Sequence, residues 1–213
     1  MKSISTVLLA LFISATLTVC SPAGSTSPDR GKVVPWQNGD IIFQSGSSDF
    51  SQAIKLATKS EYSHMGILFE KDGEWFVFEA VQPVRATPIE DWIDRGVGDK
   101  FIVKRLRNAN QILTSEVLAE MRKIGAAQIG KNYDSAFNWS DEEMYCSELV
   151  WKIYRRAANI EIGEPKPLKT YDLSHELVKL QLNKIHGSDW PLDEPMISPQ
   201  AMFKSELIET ITN

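Results

Sequence analysis

The sequence contains little cysteine and little histidine, which narrows the chemistry that it can perform. Only Cys20 and Cys146 are cysteines among the 213 residues, and three residues are histidines. With the N-terminal segment that holds Cys20 set aside, Cys146 is a lone thiol, so it has no disulfide partner and no second sulfur for a metal site. No HExxH, CxxC or glycine-rich phosphate loop is present. We therefore expect neither a metal nor another cofactor.

Beyond the N-terminus the sequence also lacks long apolar runs and long runs of one charge sign. The net charge is −5 with acidic and basic residues interspersed, and the absence of a basic stripe argues against a nucleic-acid partner. No later segment approaches the roughly 20 apolar residues that a membrane helix needs. The hydrophobic content of 43% suits one domain with its own core, over residues 34–213.

The N-terminus has the pattern of a secretion signal over residues 1–20, with Lys2 before an apolar run. The run ends in LTVC, which resembles a bacterial lipoprotein box whose Cys20 becomes lipidated; a plain signal-peptidase cut near Ala23 is the alternative. Residues 21–33 are rich in Ser, Pro, Gly and Thr and indicate a flexible tether. We expect an exported protein of the periplasm or cell envelope, with lipid anchoring through Cys20 left open.

A β-hairpin is predicted around Asp72-Gly73, the strongest short-range signal for a two-residue turn. If the turn has two residues, Lys71 faces Glu74 and Gly66 lies opposite Glu79. Because side chains alternate along a strand, one face then carries His64, Gly66, Leu68, Glu79 and Val81. The other face is almost wholly apolar and is expected to face the core.

This register makes His64 and Glu79 diagonal neighbours on one face, close enough for their side chains to touch. A carboxylate on one imidazole nitrogen would orient the ring and leave the other nitrogen free to act as a base. Gly66 leaves room for this contact. The alternative interpretation is an ordinary surface pair on a half-solvated face.

An amphipathic helix is predicted from Cys146 to Ala158. Its apolar period starts at Cys146, which favours a helix beginning near Tyr145. The thiol would then lie in the first turn, where free N–H groups favour a thiolate. Ser140 and Glu143 have the spacing of a capping box, which would start the helix earlier.

The remaining pattern predicts an α+β fold with an antiparallel sheet. A short strand follows the Gly39-Asp40 turn, and a second strand covers residues 101–106. Further helices are expected over residues 47–59, 114–129 and 170–182.

Six blocks of the sequence, in order, resemble the YiiX/YaeF-like family, whose members are circularly permuted papain-like enzymes of the NlpC/P60 superfamily. The blocks are GDIIFQ (39–44), YSHMGI (62–67), VFEAV (77–81), YDSAFNWSD (133–141), YCSELVW (145–151) and ISPQA (197–201). The resemblance implies a papain-like fold in which the histidine-bearing strands precede the cysteine-bearing helix.

Carried over by residue, the resemblance makes Cys146 the nucleophile, His64 the base and Glu79 the residue that orients His64. Tyr145 would line the substrate site. Asp40 falls in the Gly-Asp block, either as a substrate-binding residue or as the brace of a turn.

Glu148 lies one helical turn after Tyr145. It has no assigned role and is compatible with a structural one. His175 and His186 are expected to be surface or packing residues.

Together these features predict a cell-envelope cysteine hydrolase that cleaves an amide bond in a peptidoglycan-type peptide or another small amide. A lipid acyl hydrolase or acyltransferase with the same thiolate is the alternative. A non-catalytic binding module is a third hypothesis, disfavoured because all three triad residues are retained.

Overall fold

The computed structural model describes residues 35–211. The predicted signal peptide, the tether and Cys20 lie outside the described residues.

An antiparallel six-stranded sheet forms the centre of the described chain, in the order β4-β3-β2-β1-β5-β8. A separate antiparallel pair joins β6 to β7. The strands are β1 (Ile41–Gln44), β2 (His64–Lys71), β3 (Glu74–Glu79), β4 (Arg85–Pro88), β5 (Phe101–Leu106), β6 (Lys166–Pro167), β7 (Pro195–Met196) and β8 (Ile208–Thr210).

Helices connect and cover these strands. They are α1 (Asp49–Thr58), α2 (Ile89–Asp94), α3 (Ala109–Ile112), α4 (Ser115–Ala126), α5 (Cys146–Ala158), α6 (Glu176–His186) and α7 (Pro199–Phe203), with short 3-10 turns at Val97–Asp99 and Leu168–Thr170. Within residues 35–211, no helix has the length and apolar character that crossing a membrane requires.

The hairpin between β2 and β3 has the predicted register. Lys71 pairs with Glu74 and Ile67 with Phe78. Asp72 and Gly73 both have positive φ, 55° and 85°, as a type I′ turn demands. The turn therefore fixes which residues of the two strands share a face.

Both faces of the sheet are covered, which argues against the alternative of a surface pair on a half-solvated face. Met65, Ile67 and Phe78 join the main core with residues of α5. On the opposite face, Leu68 and Trp92 of α2 belong to a second buried cluster. The His64–Glu79 pair consequently lies under a helix rather than in open solvent.

The helix carrying the thiol has the predicted bounds, beginning at Cys146 after Tyr145 as N-cap. The capping-box start at Ser140 is wrong; Asp141 beside it instead pairs with Lys152 and Arg156 of α5.

Two other predicted helices have different ends. The helix expected over residues 114–129 ends at Ala126. The one expected over residues 170–182 is wrong in both bounds, because the imidazole of His175 accepts the Leu177 N–H and starts α6 there.

Candidate active site

His64 and Glu79 meet as the hairpin register requires. The Nε2 atom of His64 lies 2.5 Å from Oε2 of Glu79. The Glu79 side chain is fully buried, and that of His64 is 17% exposed. Gly66 makes this approach possible, because a Cβ atom there would come within 2.7 Å of the Phe78 carbonyl oxygen and 3.4 Å of the Glu79 Cβ.

The Glu79 carboxylate is held by three further side chains that sequence reasoning missed. Trp92 Nε1 donates to Oε2 at 2.9 Å, Thr87 Oγ1 donates to Oε1 at 2.6 Å, and Arg95 Nη2 also donates to Oε1. Thr87 could have been found from the alternation of side chains along β4. Thr87 pairs with Val77, and Val77 shares a face of the sheet with Glu79. Trp92 lies on α2, and Arg95 comes directly after it. This helix has six residues, which is too short for its apolar pattern to show which side faces the sheet.

The indole of Trp92 also covers the histidine. Its ring is 6.0 Å from the His64 ring, with an interplanar angle of 28°. Trp92 is fully buried and excludes water from the His64–Glu79 contact, so this hydrogen bond operates in a low-dielectric setting where it is stronger.

The surroundings shift the pKa values of Glu79 and His64 in the directions that favour the charged form of each. Burial raises the pKa of Glu79, but the hydrogen bond and charge of His64, with Thr87 and Arg95, outweigh it and lower the value to about 2. Burial lowers the pKa of His64, but hydrogen bonds with Cys146 and Glu79 outweigh it and raise the value to about 9. At neutral pH the imidazole is therefore protonated.

Cys146 begins α5 beside the start of β2. Its Sγ atom lies 4.0 Å from the Ser63 carbonyl oxygen, and the residue is 2% exposed. Interaction with Cys146 raises the pKa of His64, and because Glu79 occupies Nε2, Nδ1 is the nitrogen left for the thiol.

Tyr133 is a further residue at the thiol that sequence reasoning did not single out. Burial raises the pKa of the Tyr133 hydroxyl well above its usual range, and the charge of Cys146 and a hydrogen bond with it add to this effect. The phenol is therefore a proton donor next to Sγ. Its only sequence signal is its place in the YDSAFNWSD block.

Tyr145 and Glu148 support the start of α5. The Tyr145 hydroxyl accepts the Ile197 N–H at 3.1 Å, and its ring lines the cavity beside Cys146. Glu148 Oε2 accepts the Tyr145 N–H at 3.4 Å, while Oε1 lies 2.6 Å from Lys152 Nζ. Burial raises the pKa of Glu148 to about 7 against the opposing effect of Lys152.

Asp40 is not brought to the thiol. Its carboxylate accepts the Gln37 N–H at 2.7 Å and binds Arg105 through Nε and Nη2 at 2.7 and 2.8 Å. It precedes β1, whereas His64 pairs with Gln44 at the other end of that strand, about 13 Å away at the usual rise per residue. The geometry corresponds to the brace of a turn, the second role considered for it.

Replacing Asp40 with asparagine is expected to lower the free energy of unfolding by about 1–3 kcal/mol, because the buried network loses its negative charge and one of its two acceptor oxygens. Turnover per folded molecule should stay unchanged. Urea denaturation and an activity assay on the same sample measure both quantities. The exposed pair of Arg107 and Glu209 supplies the control: Glu209→Gln should cost less than about 1 kcal/mol. A large fall in kcat with unchanged stability would show that Asp40 takes part in substrate binding or catalysis.

Comparison with known proteins identifies the family of the chain. Residues 35–212 match a family described as permuted papain-like amidase enzymes, the YaeF/YiiX or C92 family. The chain belongs to this family. It is 42% identical over 175 residues to the uncharacterized protein YiiX of Escherichia coli K12, covering 82% of this chain and 85% of that protein.

A crystal structure of YiiX from Escherichia coli O157:H7, there described as a metalloprotein, matches with a TM-score of 0.79 at 42% identity. The match covers 83% of this chain and 97% of that one. The resemblance and the α+β permuted papain-like fold expected from the sequence are therefore confirmed, and the family assignment supports a hydrolase of the amidase or peptidase type.

Proposed function

We propose that this protein is a cysteine amidase of the cell envelope that works through an acyl-enzyme on Cys146. The observation that carries the proposal is the arrangement of three side chains in one buried contact chain. Glu79 binds Nε2 of His64 at 2.5 Å, and interaction with Cys146 raises the pKa of His64. Such a set orients the base and supplies the nucleophile for acyl transfer.

In the first half of the reaction, Sγ of Cys146 attacks the amide carbonyl carbon and forms a tetrahedral intermediate. The C–N bond then breaks, and His64 Nδ1 gives its proton to the leaving nitrogen. In the second half, neutral His64 takes a proton from water, whose oxygen attacks the thioester carbonyl. The C–S bond breaks, the acid leaves, and the thiolate–imidazolium pair is restored.

The negative oxygen of each tetrahedral intermediate needs donors close to Sγ. The backbone N–H groups at the start of α5 supply one set. The Tyr133 phenol, whose pKa is raised in part by Cys146, supplies a second donor.

Tyr133→Phe is expected to reduce kcat by about 100- to 1,000-fold with little change in KM, as for loss of one oxyanion donor. Steady-state kinetics with the same amide substrate measures this split. Tyr62→Phe, which alters a tyrosine of the core near Phe43 and Phe203, is the control. Equal losses in both variants would show that Tyr133 acts only through packing.

The pH dependence of kcat/KM is expected to show a fall as pH rises through about 9. The cause is the raised pKa of His64, because above that value the imidazolium has lost the proton that the leaving nitrogen requires. A rate profile over about pH 5–10 measures it. A limb near pH 6.5, the value for an unperturbed histidine, or a rise through pH 9, would contradict the assignment.

The donor set at the site does not fit a metal centre. In the part of the chain that the structure describes, no group of three or more His, Cys, Asp and Glu residues is arranged to hold a metal ion. Glu79 already accepts bonds from His64, Trp92, Thr87 and Arg95, which leaves Cys146 and His64, fewer than the three protein ligands of a catalytic zinc site. The proposed reaction therefore contains no step through a metal.

The envelope location is supported by the apolar N-terminal run and its LTVC ending, which lie outside the described residues. Purified protein incubated with peptidoglycan peptides and with simple N-acyl amides should release new amino groups, and Cys146→Ala should release none. If neither class is cleaved while the same sample hydrolyses esters, the amidase proposal fails and the acyl hydrolase alternative replaces it.

A further inference from the structure

A polar groove passes the imidazole of His64 and is open to solvent. It offers about 940 Å³ of space including its mouth, within the range of small-molecule sites. Ser63, whose carbonyl oxygen lies 4.0 Å from Sγ of Cys146, lines both this groove and an apolar cavity between α1 and α6. The other polar residues that line the groove include Gln44, Ser51, Gln82, Arg95 and Tyr133.

The charged side chains that line the groove are cationic. His64 and Arg95 both line it, and no Asp or Glu is among its lining residues in the part of the chain that the structure describes. The two cations contact the same carboxylate, since Oε2 of Glu79 binds His64 and Oε1 accepts from Arg95. Because one carboxylate faces two cations when His64 is protonated, this group of three carries one excess positive charge.

Arg95 has an unused edge. Its Nε atom donates to the Asp91 carbonyl at 3.4 Å and its Nη2 atom to Glu79, while Nη1 has no partner within residues 35–211. The side chain is 38% exposed. A guanidinium presents its donors in a planar fork that matches the oxygens of a carboxylate or a phosphate. The groove therefore offers an anion a charged donor that the protein does not fully use.

Two serine hydroxyls add further donors. Ser63 Oγ accepts the Gly46 N–H at 3.0 Å. Ser51 Oγ accepts from the Ser48 hydroxyl at 3.1 Å. Each serine thus keeps its own proton for a ligand, which suits a partner that only accepts hydrogen bonds.

The direction of proton transfer places the leaving half of the substrate in this groove. The leaving nitrogen must lie against Nδ1 of His64, because it takes the proton of that atom as the C–N bond breaks. Seen from Cys146, Arg95 lies beyond the imidazole ring and the Glu79 carboxylate. That separation is about two residues of extended chain, at 3.3–3.6 Å per residue. A group bound to Arg95 therefore belongs to the leaving half, several bonds beyond the scissile nitrogen.

We propose that the leaving half of the substrate carries a carboxylate or a phosphate that binds the free edge of Arg95. The inference rests on the proposed function for the covalent step. The C–S bond forms, the C–N bond breaks, the leaving nitrogen takes the His64 proton, and the anionic amine departs through the groove before water releases the acid. A neutral leaving half would lack the charge-assisted hydrogen bonds to Arg95, and a cationic one would face the excess positive charge.

Two thiol-alkylating probes that differ only in charge test the inference without the natural substrate. Iodoacetyl-diglycine ends in a carboxylate and iodoacetyl-diglycinamide in a neutral carboxamide; intact mass measures the rate constant with which each labels Cys146. In the wild-type protein, the ratio of the two rate constants should exceed the ratio for 2-mercaptoethanol by at least about tenfold, the effect of a hydrogen bond to a charged group. A ratio equal to that of the small thiol would overturn the proposal.

A matched pair of variants assigns the effect to Arg95. Arg95→Gln also removes a donor from Glu79, but that loss slows both probes alike and cancels in the ratio, which should fall to the value for the small thiol. Arg85→Gln is the control, because Arg85 donates to Thr87 Oγ1 at 3.3 Å in the same network and does not line the groove. It should keep the wild-type ratio. A ratio that persists in Arg95→Gln, or that falls equally in both variants, would contradict the assignment.

A second probe pair, iodoacetyl-phosphoethanolamine and iodoacetyl-ethanolamine, distinguishes the two anions. A larger ratio for this pair than for the diglycine pair, dependent on Arg95, assigns a phosphate, and a smaller one assigns a carboxylate. Labelling of Cys146 at equal rates by charged and neutral probes would defeat this inference and leave the amidase standing. Failure of every probe to label Cys146 would defeat the proposed nucleophile instead.

Discussion

Replacing Cys146 with alanine is expected to lower turnover by about four to six orders of magnitude, the loss seen when a covalent nucleophile is removed from a triad. The reason is that no other described residue presents a nucleophile to His64. The Ser63 carbonyl and the N–H groups of α5 remain in Cys146→Ala, but they cannot form an acyl-enzyme. Steady-state turnover of an amide substrate measures the loss.

Two companion variants distinguish loss of the nucleophile from loss of the fold. His64→Ala should lose about as much as Cys146→Ala, and the double variant should lose no more, because the two residues act as one unit. His186→Ala, in the last turn of α6, should keep full turnover. Additive losses in the double variant would show that Cys146 and His64 do not share a step.

Glu79→Gln is expected to lower kcat by about a hundred- to ten-thousandfold while keeping the shape of the side chain. The amide cannot stabilise the imidazolium, so the pKa of His64 falls and the alkaline limb of the pH profile moves below its wild-type position near 9. The amide nitrogen replaces one carboxylate oxygen, so either Thr87 and Arg95 at Oε1 or Trp92 at Oε2 lose their acceptor. The free energy of unfolding should fall by about 1–3 kcal/mol.

The pH profile is the readout that separates this role from a structural one. Loss of stability alone would lower the amount of active protein without moving the alkaline limb. Glu74→Gln, which changes an exposed carboxylate of the same strand, should alter neither quantity. A Glu79→Gln variant with reduced kcat and an unmoved alkaline limb would contradict the orienting role.

The His64–Glu79 contact could be predicted from the sequence because one local signal controls it. Asp72-Gly73 specifies a two-residue turn, the turn specifies the register, and the register specifies the shared face. The start of α5 was likewise predictable, because the apolar period begins at the residue that also begins the helix.

The rest of the site depends on long-range packing. Trp92 comes from a helix of six residues that follows Pro88, and only the docking of that helix on the sheet brings its indole to Glu79. The walls of the apolar cavity come from α1 and α6, which lie more than a hundred residues apart in the chain. No periodicity within either helix indicates that they share a cavity, and the bounds predicted for α6 were themselves wrong.

The covalent intermediate is the central claim, and an intact-mass measurement tests it most directly. Wild-type protein mixed with an excess of activated acyl ester and quenched in acid should gain the mass of one acyl group. Proteolysis should place that group on the peptide containing Cys146, and Cys146→Ala should gain nothing. An adduct of equal yield in Cys146→Ala, or a label on any other residue of the wild-type protein, would contradict the account.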